Sequence, residues 1–185
     1  LRLGYEDFTT LMKKSNDPDA KYTGSYEALL KATYLYTNSQ AEVEKMYKYI
    51  VFNCLIGNGD AHLKNFALQY LPDMSNIFVS PPFDITHTLI YPTIDNKMAL
   101  KLANSKEFPN LQHLLKLAES SHFKIRKAKE IIEFLSDNII DYLKHSNEIQ
   151  LFEGLRESIE SSVSNIMTSN FSVKTYRHDK KKKFE

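Results

Sequence analysis

At 185 residues, of which 42% are hydrophobic and 25% charged, the chain has the length and composition of one globular domain, which excludes disordered and fibrous proteins. A formal net charge of +1 gives no general attraction to nucleic acid or to membranes, so we expect neither as a direct partner. The single cysteine, Cys54, excludes an internal disulfide and a thiolate metal cluster, and it favours a reducing, cytoplasmic location.

The first half of the chain predicts three helices. Apolar residues at helical spacing indicate helices over residues 6–14 and 26–37. Ser39 followed by Glu42 is a capping-box pattern, in which each side chain satisfies a backbone amide that the first helical turn leaves without a partner. This pattern predicts a third helix, apolar along one face, that packs in the core and ends at Gly57, where glycine readily adopts positive φ.

A β-hairpin is predicted after these helices. Two short apolar or β-branched runs, 66–71 and 77–80, flank a turn segment that contains Pro72 and Asp73. The region 85–101 has mixed signals, and we predict that it is largely loop.

The last third of the chain is predicted to be helical. Amphipathic patterns over 111–119, 125–145 and 148–169 predict a short helix and then two long helices that form an antiparallel pair. The expected fold is therefore mainly α with a small β-hairpin. We expect residues 1–175 to form one lobe and residues 176–185 to form a solvated basic tail.

A dense polar stretch, residues 57–66, follows the third predicted helix. It contains two of the chain's five glycines and places Asp60, His62, Lys64 and Asn65 within six positions. Turns use Gly, Asn and Asp because these residues tolerate a left-handed backbone or bond to it locally, but turns rarely need His, Lys and a second Asn as well. The excess of polar chemistry indicates a functional loop.

Asp60 and Asn65 have the D-x-x-x-x-N spacing of a kinase catalytic loop, in which the Asp orients or accepts the proton of the substrate hydroxyl and the Asn holds magnesium on the phosphates. Magnesium prefers oxygen ligands, and Asp84 at the end of the predicted hairpin is the natural second one. The spacing by itself also fits an ordinary polar turn. The succession of helix, loop, hairpin and aspartate favours the catalytic interpretation, with Lys64 available to stabilise phosphoryl charge and His62 to orient its neighbours.

These motifs resemble those of a known family. Residues 56–66, IGNGDAHLKNF, resemble the catalytic loop of the HipA family of bacterial serine/threonine kinase toxins, and residues 82–85 resemble its metal-binding segment. Residues 21–26 and 98–102 are similar to other landmarks of that family. The resemblance implies that the chain is the mainly helical C-terminal lobe of a bilobal, protein-kinase-like fold.

The resemblance also implies a chemistry. The enzyme would transfer the γ-phosphate of ATP to a protein serine, with magnesium as a second cofactor. Asp60 would be the catalytic base, Asn65 and Asp84 would bind the magnesium that ATP carries, and Lys64 and His62 would support the loop.

Three partners follow from the same resemblance. The first is an N-terminal lobe with the ATP-binding lysine, as part of the same polypeptide or as a separate chain, since the five glycines of this sequence contain no G-x-G-x-x-G. The second is a HipB-like antitoxin with a helix-turn-helix DNA-binding domain. The third is the substrate, expected to be an aminoacyl-tRNA synthetase for glutamate or tryptophan, whose phosphorylation would stall translation.

Two alternative functions remain open from the sequence. Gly59 and Asp60 with His62 are superficially similar to a metallophosphoesterase motif, although such two-metal sites need several more His and Asp ligands than this chain offers at suitable spacings. A non-catalytic binding lobe of a split kinase is the other alternative. The presence of Asp60, Asn65 and Asp84 together argues against it, because a binding lobe has no structural need for these three oxygen-bearing side chains.

Other polar residues are expected to have structural roles. We expect His87 to be a loop histidine and not a metal ligand, because one imidazole near carboxylates lacks the closed ligand set of a zinc site. Cys54 should be a buried small hydrophobe, and Lys101 a solvent-exposed lysine. The remaining histidines are expected on helix surfaces or in the tail: His113, His122, His145 and His178.

We predict that the purified chain 1–185 phosphorylates a protein target poorly or not at all, because it lacks the glycine pattern that covers ATP phosphates. Transfer of labelled phosphate from ATP measures this directly. Robust ATP-dependent labelling of a target by these residues alone would contradict the prediction.

Overall fold

The structure, a computed structural model, describes residues 2–91, 95–120 and 124–168. The helices within these ranges are α1 (Phe8–Leu11), α2 (Tyr26–Thr37), α3 (Gln40–Leu55), α4 (Leu111–Glu119), α5 (Ala128–His145) and α6 (Leu155–Thr168). The strands are β1 (Gly4–Asp7), β2 (Ala67–Tyr70), β3 (Ile77–Val79), β4 (Lys97–Leu102) and β5 (Ser105–Glu107). Single 3-10 turns span Pro18–Tyr22, Leu63–Asn65 and Ile149–Leu151.

Helix α3 is the central element of the core. Its buried side chains recur along most of its length, and it contacts α2, α5, α6 and β3. Cys54 lies on this helix and is buried as expected; its burial raises the pKa of the thiol to about 12, so that it stays protonated. The core thus surrounds the helix whose end carries the polar stretch.

The start of α3 differs from the predicted capping box in one respect. The Ser39 hydroxyl accepts a hydrogen bond from the Glu42 backbone N–H at 3.3 Å, as the pattern predicts. The Glu42 carboxylate instead accepts a 2.7 Å hydrogen bond from the backbone N–H of Val79 in β3. The first turn of α3 is therefore tied to the hairpin, a contact across 37 positions that the local pattern could not reveal.

The predicted hairpin is confirmed as β2 and β3, which pair antiparallel with Leu68 opposite Val79. The predicted helix over 6–14 is wrong at its start, because residues 4–7 form β1 and pair antiparallel with β2. Only α1 remains of that helix, and Asp7 caps it by accepting hydrogen bonds from the N–H groups of two residues of its first turn. Strand pairing with distant residues overrides the local helical spacing.

The region 85–101, predicted to be largely loop, contains most of β4. Strands β4 and β5 form a second, two-stranded antiparallel sheet, joined by Ala103 and Asn104, whose φ angles are positive. The backbone N–H of Lys101 donates to the carbonyl of Gly24 at 3.1 Å, and the Lys101 side chain is exposed as expected. Two of the segments similar to family landmarks, 21–26 and 98–102, therefore lie side by side.

The last helices follow the prediction except near residue 150. Helix 148–169 is interrupted: a 3-10 turn precedes Gly154, whose φ is +74°, and α6 begins only at Leu155. Leu151, expected on the apolar face, is 79% exposed. Helices α4, α5 and α6 contact one another, so the two long helices belong to a group of three. The predicted lobe boundary at 175 and the tail 176–185 lie outside the described residues.

The described part of the chain is mainly α with small antiparallel sheets, as expected. None of its helices has the length and apolar character needed to cross a membrane.

We predict that Gly57→Ala destabilises the fold more than Gly154→Ala. Both glycines have positive φ, which costs an L-residue roughly 1–2 kcal/mol. A Cβ at Gly57 would also lie 2.8 Å from the side chain of Leu89, whereas a Cβ at Gly154 meets nothing within 4 Å, and crowding adds about 1–3 kcal/mol. Urea unfolding of both variants measures the difference. Equal losses in the free energy of unfolding would contradict the prediction, because they would show that the positive φ alone determines how far each variant is destabilised.

Candidate active site

The polar stretch begins where α3 ends. Gly57 has a φ of +73° and turns the chain away from the helix axis. Asn58, which is buried, donates from its side-chain amide to the Asn53 side chain at 2.6 Å and accepts from the backbone N–H of Asp60 at 3.1 Å. Asn53 in turn donates to the carbonyl of Tyr49 at 2.9 Å. Two buried amides therefore hold the turn against the helix that precedes it.

Asn65 and Asp84 are brought together, although 19 positions separate them. The amide Nδ2 of Asn65 donates a short hydrogen bond to Oδ2 of Asp84. Oδ1 of Asn65 accepts from the backbone N–H of His62 at 3.0 Å, which sets the orientation of the amide. Asn65 is 4% exposed, whereas Asp84 is exposed and has a left-handed φ of +53°. One end of this pair is therefore anchored and the other faces solvent.

Asp60 and Lys64 lie on the exposed side of the same loop. A cleft of about 920 Å³ opens beside Asp60, with Ile85 and Phe152 among its apolar lining residues. The carboxylate of Asp60 is thus accessible to a molecule that lies in the cleft.

His62 is buried beneath the loop, with 6% of its surface exposed. Its ring packs edge-on against Tyr22 at 5.3 Å between centroids, and within the described residues its Nδ1 has no hydrogen-bond partner. Burial, and then the nearby charge of Lys21, lower the pKa of His62 below its ordinary value. A buried, neutral ring of this kind supports the loop by packing.

The segment after Asp84 binds the turn residues from the other side. Thr86 donates to the Asn58 side chain at 3.2 Å. The hydroxyl of Thr88 accepts from the N–H of Gly59 at 2.8 Å and donates to the carbonyl of Gly57 at 3.2 Å. We call residues 86–88 the clamp, because its side chains fix the turn to the segment that carries Asp84.

His87 is the central residue of the clamp. Its Nδ1 lies 2.5 Å from the carbonyl oxygen of Ile56 and its Nε2 lies 2.7 Å from the hydroxyl of Ser158 in α6. A carbonyl only accepts, so Nδ1 carries the proton and Nε2 accepts from Ser158. The ring joins the end of α3 to α6, which is the structural role expected for it.

Tyr49 of α3 reaches both segments of the site. Its hydroxyl oxygen lies 2.9 Å from the carbonyl of Asn65 and 2.8 Å from the carbonyl of Phe83, and it accepts from the N–H of Phe83 at 3.0 Å. Sequence reasoning missed Tyr49, Asn58 and the two clamp threonines as site residues. The sequence did contain one indication of the roles of Asn53 and Asn58. Each is an amide at or just beyond the end of an apolar helix, and an amide that is buried there requires a hydrogen-bond partner.

The Asp84 carboxylate fits magnesium, and so does Oδ1 of Asn65, which has a second lone pair besides the one that accepts from the His62 N–H. The Nδ2 of Asn65 that contacts Asp84 is a donor and not a ligand. A carboxylate and an amide oxygen are hard ligands, and Mg²⁺ typically takes one or two such ligands from protein while phosphate and water complete the octahedron. Among the residues that the structure describes, no group of three or more His, Cys, Asp or Glu side chains could hold a metal ion. The closed ligand sets of zinc sites and two-metal hydrolases therefore have no counterpart there.

The fold matches that of a known toxin–antitoxin protein. A solved structure of the HipA, HipB and operator DNA complex from Shewanella oneidensis MR-1 aligns with 90% of this chain and 43% of its own, with a TM-score of 0.66 and 16% sequence identity. This likeness defines the fold as that of a HipA-type, kinase-like lobe. The chain belongs to the HipA-like C-terminal domain family, which matches residues 1–143.

Curated relatives are named as kinases. The chain is 36% identical over 123 residues to the "Putative kinase Y4dM" of Sinorhizobium fredii, and 34% identical over 79 residues to a "Putative kinase" of Haemophilus influenzae. These alignments cover 63% and 42% of this chain. The chain spans 30% and 23% of the length of these relatives, so it corresponds to one part of them.

We predict that the free energy of unfolding falls as the pH is lowered from 7 to 5, and that His87→Gln flattens this dependence. Burial lowers the pKa of His87, so the unfolded chain takes up a proton near pH 6.5 while the folded chain resists it. The contribution of His87 to the free energy of unfolding is therefore fully present above that pH, and it is lost as the pH falls through the pKa of His87 in the folded chain. Urea unfolding at several pH values measures the slope.

The exposed His145 supplies the control, because His145→Gln changes a histidine that is open to solvent. In the His87→Gln chain, the free energy of unfolding should still depend partly on pH, because the pKa of His62 is also lowered. An unchanged slope in His87→Gln would contradict the assignment.

Proposed function

We propose that this chain is the catalytic C-terminal lobe of a protein kinase that transfers the γ-phosphate of ATP to a serine or threonine hydroxyl. The observation that carries the proposal is the contact of Asn65 with Asp84, together with the exposed Asp60 on the same loop as Asn65. Phosphoryl transfer depends mainly on positioning and on electrostatic stabilisation, and these three side chains supply the oxygen atoms that it requires.

Each residue has a role in this proposal. Asp60 accepts or orients the proton of the acceptor hydroxyl as its oxygen attacks the γ-phosphorus of ATP, and the bond from that phosphorus to the bridging oxygen breaks so that ADP leaves. Asn65 and Asp84 would hold Mg²⁺, which when bound would neutralise charge on the phosphates. Lys64, exposed on the same loop, stabilises charge on the transferred phosphoryl group, and His62 supports the loop from beneath.

The cleft beside Asp60 supports a macromolecular acceptor. An acceptor hydroxyl must reach Asp60, and the cleft of about 920 Å³ leaves room there for a protein segment. We propose an aminoacyl-tRNA synthetase, for glutamate or tryptophan, as the substrate. Its phosphorylation would stop translation, which fits the toxin family to which the chain belongs.

The proposal includes two further partners and a location. The ATP-binding lobe completes the site, either on the same polypeptide or as a separate chain. A HipB-like antitoxin would inhibit the enzyme, and support comes from the structural neighbour, which was solved with HipB and operator DNA. The buried, unpaired Cys54 fits a cytoplasmic enzyme, where thiols stay reduced.

The kinase proposal is tested by magnesium-dependent ATP turnover of the complete kinase, in which this chain acts with its ATP-binding lobe. We predict that Asp60→Asn lowers turnover by at least about 100-fold, because it removes the base and keeps the shape of the side chain. We expect a comparable loss for Asp84→Asn, with weaker dependence on magnesium. Asp137→Asn, a matched change at an exposed position of α5, should leave turnover unchanged.

Two outcomes would contradict the assignment. Turnover that survives Asp60→Asn would show that another group is the base. Phosphoester hydrolysis with manganese or zinc and without nucleotide would favour the hydrolase alternative. Loss of turnover in Asp137→Asn would show that the assay reports general damage to the fold.

A further inference from the structure

We propose that Tyr49 is a positioning residue, whose hydroxyl sets the distance between the Asn65 loop and the Asp84 segment. This inference rests on the proposed function for its catalytic meaning. Asn65 and Asp84 lie on separate segments, so a two-ligand magnesium site requires something that holds the segments in register. Tyr49 contacts the backbone of both.

The Tyr49 hydroxyl forms hydrogen bonds with the backbone of both segments. The oxygen accepts from the N–H of Phe83 at 3.0 Å, and its proton is directed to the carbonyls of Phe83 and Asn65, at 2.8 Å and 2.9 Å. A hydroxyl has one proton, so these two carbonyls share it. Both backbone groups of Phe83 and the carbonyl of Asn65 thus meet at a single atom.

Backbone conformation explains why Phe83 needs this contact. The next residue, Asp84, has a φ of +53°, a left-handed conformation that is strained at a non-glycine residue. Strain of this kind persists only where neighbouring contacts determine the conformation. The two hydrogen bonds to Phe83 fix the residue immediately before the strained one, and so direct the Asp84 side chain toward Asn65.

The Tyr49 side chain that carries this hydroxyl is buried in the core. Tyr49 is 4% exposed and projects from the central helix α3, and its ring lies 4.9 Å from that of Phe66, the residue after Asn65. The position of the hydroxyl is therefore set by helix α3 and by the packing of its ring in the core.

A second tyrosine on the same helix provides a matched control. Tyr47 is also buried, and its hydroxyl donates a 3.0 Å hydrogen bond to the carbonyl of Leu114 in α4. Tyr47→Phe and Tyr49→Phe therefore remove the same atom from the same helix. Only Tyr49→Phe removes contacts to the proposed metal-binding segments.

The test measures two properties of the full chain. Hydrogen–deuterium exchange reports on the backbone of residues 80–86, and electron paramagnetic resonance of free Mn²⁺ gives the affinity for a magnesium substitute. We expect Tyr49→Phe to speed exchange in 80–86 and to weaken Mn²⁺ binding by about 10-fold, the effect of losing a partner that orients a metal ligand. Tyr47→Phe should change neither. Replacement of Tyr49 by 4-aminophenylalanine, which keeps a donor at the same place, should restore most of both properties.

Several results would overturn the proposal. One is wild-type exchange in residues 80–86 of Tyr49→Phe, and another is an equal effect of Tyr47→Phe. Outright unfolding of Tyr49→Phe, while Tyr47→Phe folds, would also contradict it, because the role assigned to Tyr49 is local. Asp84→Asn separates the two proposals. If wild type and Asp84→Asn bind Mn²⁺ equally, the metal site is wrong, and the exchange measurement still decides the role of Tyr49.

Discussion

The organisation of the site depends on how the backbone at the C-terminal end of α3 is satisfied. Buried carbonyl and N–H groups that lack partners are costly, and a helix end leaves several of them. Here the clamp residues His87 and Thr88 supply partners for Ile56, Gly57 and Gly59. The same contacts that complete the helix end therefore determine where the chain runs after Asp84.

Helix α3 joins the separate parts of the site to one rigid element. Near its N-terminus, Glu42 binds the backbone of β3, which leads into the Asp84 segment. In its middle, Tyr49 contacts both segments that carry the proposed magnesium ligands. Near its C-terminus, Asn53 holds Asn58. Contacts at three levels of one helix therefore position both the loop 57–66 and the segment that carries Asp84.

In the proposed function, this lobe supplies the groups for proton transfer and metal binding, and an ATP-binding lobe supplies the rest of the kinase. Fold alone does not establish function, which must be argued from the side chains of the site. Asp60, Asn65 and Asp84 provide that argument, because a purely structural loop needs neither an exposed carboxylate at Asp60 nor a hydrogen-bonded pair of Asn65 and Asp84. In the same proposal, specificity for a protein substrate would come from the cleft beside Asp60 and from surfaces of the partner lobe.

The sequence by itself determined the local features of this protein. Three features can be read within a few positions of the sequence, because they follow from short-range geometry. They are the capping by Ser39, the helical spacing of α2 and α3, and the polar excess of residues 57–66. The pairing of Asn65 with Asp84 was also predictable in outline, since magnesium chemistry requires a second oxygen ligand.

Tertiary structure alone decided the features that join distant positions. Strand β1 formed in place of a predicted helix because it pairs with β2, 60 to 66 positions away. Strand β4, in a region of mixed signals, is bonded to the distant Gly24 through the backbone of Lys101. The roles of Tyr49 and of the clamp threonines were equally hidden. A tyrosine at helical spacing or a threonine in a loop carries no local sign of its partner. Its function exists only once the fold brings two segments to one hydroxyl group.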